Sequence, residues 1–316
     1  MDRKNSTVWL TMVGLIFVGL LPIFAVYGVG EKRAKKIVFL WTKDHCNHPN
    51  KAGCELFKQC LENSTNVKGI KCEVYDSWPE NPSVLDEAAT IVIYSGGVDA
   101  GIKKEGKAHP VFNSPERLEY LDKLMKKGAG MVCIHFSLYA RREVEAPKLL
   151  EWIGAYYDWQ GYGSRHVASF EPQRCMRVAS GHPISHGWSD FALKQHELYH
   201  NLRFEQDTRA VPILTGPYFE GIQGPYNPIP ILTACFDNKD YVVAWALQRE
   251  DQGRGFGFGG GHFYSTLLNE DCRRMLLNAI LWTAKIEVPE EGVLSSVPDK
   301  LKAGSDDTVV SEPAQK

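Results

Sequence analysis

The sequence predicts an α/β fold, a doubly wound parallel sheet with helices on both faces. Short apolar segments alternate with amphipathic helical segments through the hundred residues that follow residue 35. That order is typical of parallel strands joined by right-handed helical crossovers. The chain has 316 residues, of which 44% are apolar and 23% charged. This composition excludes a wholly disordered or collagen-like chain. A chain of this length can also bury a substantial core.

Local residue patterns predict strands and helices along the chain. Apolar or alternating runs predict strands at 36–41, 71–75, 89–94 and 130–134. Helical spacing of apolar residues predicts helices at 50–61, 114–127, 146–156 and 269–284. The second helix begins at Ser114 and Pro115, a capping residue followed by proline, and Gly128 ends it. Residues 241–247 and 255–258 predict a late pair of strands joined by a turn at 251–253.

Residues 1–30 predict a signal peptide or a membrane anchor. Positions 8–29 carry no charge, and basic residues flank them on both sides. The run exceeds the apolar core of a signal peptide, about 7–15 residues, and matches the roughly 20 residues of a spanning helix. Small residues such as Ala25 and Gly28 leave cleavage open as well. Both alternatives place the remainder outside the cytoplasm, either anchored at the cell membrane or periplasmic or extracellular.

Composition also predicts the other end of the chain and excludes two classes of protein. Residues 294–316 have the polar, charged composition of a disordered tail. The formal net charge is −2 and no half is strongly basic, so a nucleic-acid partner is excluded. The eight cysteines form no CxxC pair, which disfavours a thiolate zinc site. Cys46, Cys54 and Cys60 are near one another in sequence, and the sequence neither predicts nor excludes one disulfide among them.

The end of the fourth strand is the first candidate site, because open parallel sheets bind ligands at the carboxyl ends of their strands. His135 follows that strand directly, where α/β-hydrolases and class I amidotransferases carry a nucleophile. A nucleophile elbow has glycines two residues before and after the nucleophile, and the second glycine is missing here. We therefore expect Cys133 to pack in the core and His135 to be the reactive group. A structural histidine is the alternative.

Two later segments add polar groups. On an extended strand, Glu197 and Tyr199 share one face and His196 lies on the other. The glycine-rich segment 253–262 ends at His262, and such a density of glycine indicates close approach of the backbone to a ligand or a neighbouring element. This segment is not a phosphate-binding loop, because it lacks the P-loop lysine and the register of GxGxxG after a first strand. His166 is a weaker candidate.

Together these segments resemble the trehalose-utilisation (ThuA-like) family. The resemblance is carried by His135, by Glu197-Leu-Tyr199, by Gly261-His262 and by residues 281–289, in the family's order, and covers about residues 36–293. It implies the flavodoxin-like core of class I glutamine amidotransferases without their catalytic cysteine. It further implies a small carbohydrate substrate, a trehalose-like disaccharide or keto-sugar that is isomerised or cleaved. The sequence departs from the family at His196, where an acidic residue is expected.

For a keto-sugar, enolisation requires a base for a carbon-bound proton and an electrophile for the carbonyl oxygen. We assign the base to Glu197 or His135, and the polarising or orienting groups to His262 and Tyr199. His135, Glu197 and His262 could equally bind a divalent metal, since two histidines and one carboxylate are a permitted ligand set. The alternative function is a non-catalytic sugar-binding or assembly module on the same fold. A homo-oligomer stays open in either case.

Overall fold

The computed structural model describes residues 34–43, 48–97, 109–158, 172–200, 202–205, 209–216 and 241–302, together with the backbone of 165–169. No helix within these ranges is long and apolar enough to cross a bilayer. Residues 1–30, expected to form a signal peptide or an anchor, lie outside the described residues. That expectation therefore stays a prediction.

Fourteen strands and six helices are formed by the described residues. The strands are β1 Lys35–Trp41, β2 Ile70–Asp76, β3 Ala88–Tyr94, β4 Gly130–Ile134, β5 Tyr139–Ala140, β6 Ala155–Asp158, β7 Arg165–Ser169, β8 Gln173–Arg177, β9 Phe191–Leu193, β10 His196–His200, β11 Arg203–Phe204, β12 Val211–Gly216, β13 Tyr241–Gln248 and β14 Arg254–Phe258. The helices are α1 Asn50–Glu62, α2 Pro115–Lys126, α3 Ala146–Ile153, α4 Tyr264–Leu268, α5 Glu270–Thr283 and α6 Asp299–Lys302. Short 3-10 turns occupy Pro82–Leu85, His135–Leu138 and Pro183–Ser185.

The central sheet has nine strands in the order β2-β1-β3-β4-β14-β13-β12-β8-β9. The first five pair in parallel, and the order of the first four, 2-1-3-4, is that of flavodoxin-like folds. The predicted parallel, flavodoxin-like sheet is confirmed in this half. From β14 onward the pairing is antiparallel. β14 is therefore the strand at which the pairing changes from parallel to antiparallel.

Helices cover both faces of the parallel half, because neighbouring residues of each strand point to opposite sides. Ile37 and Phe39 of β1 belong to a core that includes buried residues of α1 and α5, whereas Val38 and Leu40 belong to a second core with residues of α2 and α3. The predicted cap of α2 is present, since the Ser114 side chain accepts a hydrogen bond from the Arg117 amide. The expectation of helices on both faces is confirmed.

One local expectation is corrected, and one of the open disulfide pairings is removed. The helix that begins at Ala146 ends at Ile153 rather than 156, because Gly154 adopts a φ of 91° and β6 starts at the next residue. Cys54 and Cys60 are free, buried thiols of α1 and form no disulfide with each other. Six residues of helix separate them by about 9 Å along the axis, which exceeds the span of a disulfide. Cys46 lies outside the described residues.

The chain that follows α5 packs back onto the domain. Val293 is buried, and the Leu294 amide donates to the Asn66 side chain at 3.0 Å. The short helix α6 then closes the described chain at Lys302. Packing thus continues a few residues into the stretch expected as a tail from 294, and residues 303–316 lie outside the described residues.

Candidate functional site

Three histidines meet at the carboxyl edge of the parallel half of the sheet. His48 follows β1, His135 follows β4 directly and His262 follows β14. Their ring centroids lie 4.5 Å apart for His48 and His262, 4.8 Å for His48 and His135, and 5.4 Å for His135 and His262. Parallel strands bring their carboxyl ends to one edge, so residues distant in sequence form one cluster.

His135 occupies a strained turn. Its φ is 54°, in the left-handed region that side chains bearing a Cβ rarely adopt. The Ser137 hydroxyl, which donates to Ile93 O at 2.8 Å and accepts from the Ile134 amide at 3.1 Å, holds the turn. Gly97, beyond the end of β3, lets the turn come close, because a Cβ there would overlap Phe136 O. A strained turn of the elbow type therefore forms without the glycine that usually follows it.

His262 is positioned by a second special turn. Gly261 has a φ of 105°, and its carbonyl oxygen accepts a hydrogen bond from the Tyr94 hydroxyl at the end of β3. Glycine is the residue that adopts this backbone conformation without a steric penalty. The glycine-rich segment thus serves to bring a backbone turn against the end of the sheet and to present His262 beside His135.

Strand β10 supplies the remaining two groups. It docks against the end of β14 through a hydrogen bond from the Tyr199 amide to Gly259 O at 3.1 Å. The strand alternates as expected, since Leu198 packs in one core and Tyr199 in the other. Glu197 and Tyr199 share the side that faces His135, and both contact it.

The contacts join these groups into one cluster. A Glu197 carboxylate oxygen lies 3.1 Å from His262 Nδ1, and the other lies 3.8 Å from His135 Nε2. His262 Nδ1 is also 3.0 Å from His48 Nε2. The Tyr199 ring stacks on His135 with a centroid distance of 4.4 Å, and its hydroxyl is 3.1 Å from His135 Nε2. The structure therefore brings together all four candidate residues, with His48 as a fifth.

Hydrogen bonding fixes the protonation of the buried pair. His135 Nδ1 is 3.3 Å from Gly259 O, and since a carbonyl oxygen only accepts, Nδ1 carries the proton. In the neutral imidazole with this tautomer, His135 Nε2 is an acceptor, and the Tyr199 hydroxyl donates to it. Burial, together with the nearby Tyr139 and Glu197, raises the pKa of Tyr199 well above its usual range. Tyr199 consequently stays a neutral donor.

Exposure separates the five groups into two sets. His135 and Tyr199 are 0% and 1% exposed. The side chains of Glu197 and His262 are 14% and 15% exposed, and His48 is also partly exposed. Part of each side chain in the second set is therefore open to solvent. His135 and Tyr199 lie behind it, where they orient the carboxylate and the imidazoles.

Several other histidines, two tryptophans and Cys133 lie elsewhere or pack in the core. His182 accepts from the Ile184 amide and caps the turn Pro183–Ser185, and the His186 ring contacts Pro289 O. Trp152 and Trp245 are buried core residues, and Cys133 is fully buried, with a pKa raised by that burial. The His166 backbone pairs opposite Tyr199 in the ladder of β7 and β10, but its side chain lies outside the described residues.

His48 is a site residue that the sequence reasoning missed. The ligand rule for open sheets applies to β1 as much as to β4, and the polar residues after β1 include His48. Applying the rule to every parallel strand would have identified this histidine. What the sequence does not give is which of the residues after β1 turns toward β4.

Comparison with known proteins identifies the family. The model of the family described as ThuA, trehalose utilisation, matches residues 36–283. The chain belongs to the ThuA family. No functionally curated protein matches the sequence.

Two solved ThuA-like proteins have similar structures. One, from Bacteroides uniformis, is 13% identical with a TM-score of 0.53, and the match covers 80% of this chain and 92% of that one. The other, from Parabacteroides merdae, is 16% identical with a TM-score of 0.53, covering 84% and 94%. At these identities the likeness concerns the ThuA fold, and the resemblance expected from the sequence motifs is confirmed at that level.

Proposed function

We propose that this ThuA-family protein is a carbohydrate-processing enzyme that acts on a sugar bearing a carbonyl group, a keto-sugar or an oxidised trehalose-like disaccharide. One observation carries the proposal: the partly exposed Glu197 carboxylate is flanked by two imidazoles, at 3.1 Å from His262 and 3.8 Å from His135. Several titratable groups in one cluster are typical of a catalytic site, whereas a sugar-binding module relies on exposed aromatic rings and amides.

The residues suit proton transfer next to a carbonyl group. Glu197 takes the proton from the carbon adjacent to the carbonyl, the electron pair of the broken C–H bond forms a C=C bond, and the π pair of the carbonyl moves to its oxygen. His262 donates a hydrogen bond to that oxygen and stabilises the enolate. Delivery of that proton to the former carbonyl carbon, with the hydroxyl proton of the adjacent carbon passing to the enolate oxygen, isomerises the sugar. Departure of an oxygen substituent from the β-carbon, protonated as it leaves, cleaves the glycosidic bond instead.

His135 and Tyr199 act through these two groups, because both are buried. The Tyr199 hydroxyl orients His135, whose Nε2 lies beside the Glu197 carboxylate. We thus assign the base to Glu197 rather than to His135, and treat His135 and Tyr199 as positioning residues. Localisation outside the cytoplasm is part of the same proposal and rests on the apolar segment at 8–29.

Deuterium exchange tests the function. A 3-keto-disaccharide is incubated with the full-length protein in D2O, and deuterium at the carbon next to the carbonyl is followed by NMR. We expect wild-type protein to catalyse exchange, and Glu197→Gln to lower the rate by about 10²–10⁴-fold, the usual contribution of a general base. Glu119→Gln, a change at an exposed residue of α2, is the matched control and should retain the wild-type rate.

Circular dichroism confirms that each variant is folded before the rates are compared. If wild-type protein binds the keto-sugar but neither exchanges nor cleaves it, the enzyme proposal is wrong and the chain is a sugar-binding module. If Glu197→Gln exchanges at the wild-type rate, Glu197 is not the base.

A further inference from the structure

We infer that His48, His135 and His262 form a three-imidazole binding site for a divalent transition metal, with zinc as the best match. The ligating nitrogens of these residues all lie within 4.8 Å of one another. The set differs from the one expected from the sequence, because His48 provides the third nitrogen and Glu197 lies beside the triad rather than within it. The role of the metal in catalysis rests on the proposed function, whereas its binding does not.

Distances support a common centre. His48 Nε2 and His262 Nδ1 are 3.0 Å apart. In a tetrahedral zinc site with Zn–N bonds of about 2.0–2.1 Å, neighbouring ligand nitrogens are separated by roughly 3.3 Å. The imidazole rings meet edge to face rather than in a stack, with interplanar angles of 70°, 84° and 87°. Rings that meet edge to face can present their nitrogens to a shared ion, whereas stacked rings cannot.

Hydrogen bonding prepares His135 as a ligand. Its Nδ1 donates to Gly259 O, which leaves the Nε2 lone pair directed into the cluster. Histidines that bind metals usually donate their second ring nitrogen to a carbonyl or carboxylate in this way, which fixes tautomer and orientation. The hydroxyl of Tyr199 also hydrogen-bonds Tyr139, so it keeps a partner when His135 Nε2 binds a metal.

Charge also favours a cation. His262 Nδ1 faces both His48 Nε2 at 3.0 Å and a Glu197 oxygen at 3.1 Å, and one ring proton cannot satisfy both contacts well. A divalent ion would replace that proton and offset the carboxylate charge. Three imidazoles leave a fourth tetrahedral position open, which is typical of catalytic rather than structural zinc. There the ion would polarise a carbonyl oxygen, with Glu197 alongside as the base.

The strained turn at His135 is a second and independent observation. A residue with a Cβ held at positive φ is strained, persists where the surrounding structure enforces it, and occurs often at functional sites. The strain directs His135 Nε2 toward Glu197 and the exposed histidines rather than out along the strand. A histidine that served only to fill space after β4 would not require this conformation.

The test is metal binding, measured separately from activity. Full-length protein is stripped with a chelator, reconstituted with Zn²⁺ or Co²⁺ and analysed for bound metal. Visible absorption bands of Co²⁺ report tetrahedral coordination. We expect about one equivalent per chain in the wild type, and affinity lowered by at least about 100-fold in both His48→Gln and His262→Gln, since loss of a supporting partner alone costs 10–100-fold.

His186→Gln is the matched control, because this partly buried histidine contacts a backbone oxygen elsewhere in the domain. It should bind metal like the wild type. If reconstituted wild-type protein retains no metal, or if both site variants bind as tightly as the wild type, the inference is wrong.

The outcomes separate this inference from the proposed function. Keto-sugar exchange that persists in chelator-treated, metal-free protein would support the enzyme and overturn the metal's part in it. Glu197→Gln should keep the metal while losing exchange. Stoichiometric metal in a protein that never turns over a keto-sugar would leave the metal site intact and overturn the proposed function instead.

Discussion

At the residue scale, the position directly after β4 combines a strained backbone with a histidine side chain. In the amidotransferase elbow this position carries a nucleophile, whereas here it carries His135 at a φ of 54°. Cys133 lies two residues earlier and points into the core with α2 and α3. The sequence expectation that this cysteine packs rather than reacts agrees with its complete burial.

Removal of the Cys133 thiol therefore leaves the site intact. In Cys133→Ala we expect keto-sugar exchange within about twofold of the wild type and a free energy of unfolding lowered by roughly 1 kcal/mol, as for loss of one buried group. Exchange assays and urea unfolding measure the two effects. A folded variant without exchange activity would bring cysteine chemistry back into consideration.

At the scale of elements, the packing of β14 explains why this strand is rich in glycine. Gly255 lies against the backbone of Trp152 and Ile153, and Gly257 lies against the Trp245 ring of β13. The strand is also central, with β4 on one side and β13 on the other. Its glycines make room for neighbours, and the residues beyond the strand, Gly259 and Gly261, serve the site directly.

A methyl group on β14 should consequently destabilise the fold. The Cβ of Gly257→Ala would overlap the buried Trp245 ring, and overpacking of this kind typically costs about 1–3 kcal/mol. Gly181→Ala is the matched control, because a Cβ there has open space within 4 Å. Urea unfolding should show a lower midpoint for Gly257→Ala alone. Equal midpoints in the two variants would contradict the assigned packing.

The same scale shows what the sequence could and could not provide. The bounds of β4 were predicted as observed, and those of β1, β2 and β3 to within one residue at each end. The cap at Ser114 was predicted as well. Buried strands and helix caps can be predicted because they depend on local residue patterns. The pairing of β10 with β7, and its docking on Gly259, depends on contacts between distant segments. Local pattern indicated Glu197, Tyr199 and His262, but their meeting with His48 follows from topology alone.

At the scale of the whole molecule, buried histidines make folding sensitive to acid. His109 is fully buried, and burial lowers its pKa to about 3. In the unfolded chain His109 is protonated near pH 6.5, whereas in the folded chain it is protonated only near pH 3. Stability is thus fully present above pH 6.5 and is lost as the pH falls toward 3.

Substitution by asparagine isolates this contribution. Asn can accept the hydrogen bonds that His109 Nδ1 receives from the Val111 and Phe112 amides, and it does not titrate in this range. Between pH 6 and 4 we expect the free energy of unfolding of the wild type to fall more steeply than that of His109→Asn, by up to about 1.4 kcal/mol per pH unit. Urea unfolding at each pH provides the measurement, and parallel curves would argue against the assignment.

The change of sense at β14 has a consequence for how the protein holds what it binds. His48 and His262, which stand 214 positions apart in the chain, touch only when β1, β4 and β14 are in register. Glu197 joins them from a separate two-stranded sheet. A ligand bound by all of these groups would therefore hold β10 against the parallel half of the central sheet, since it would have affinity for the assembled site alone. Retention of that ligand and integrity of the fold would become a single property, so separating β10 from the parallel half would release it.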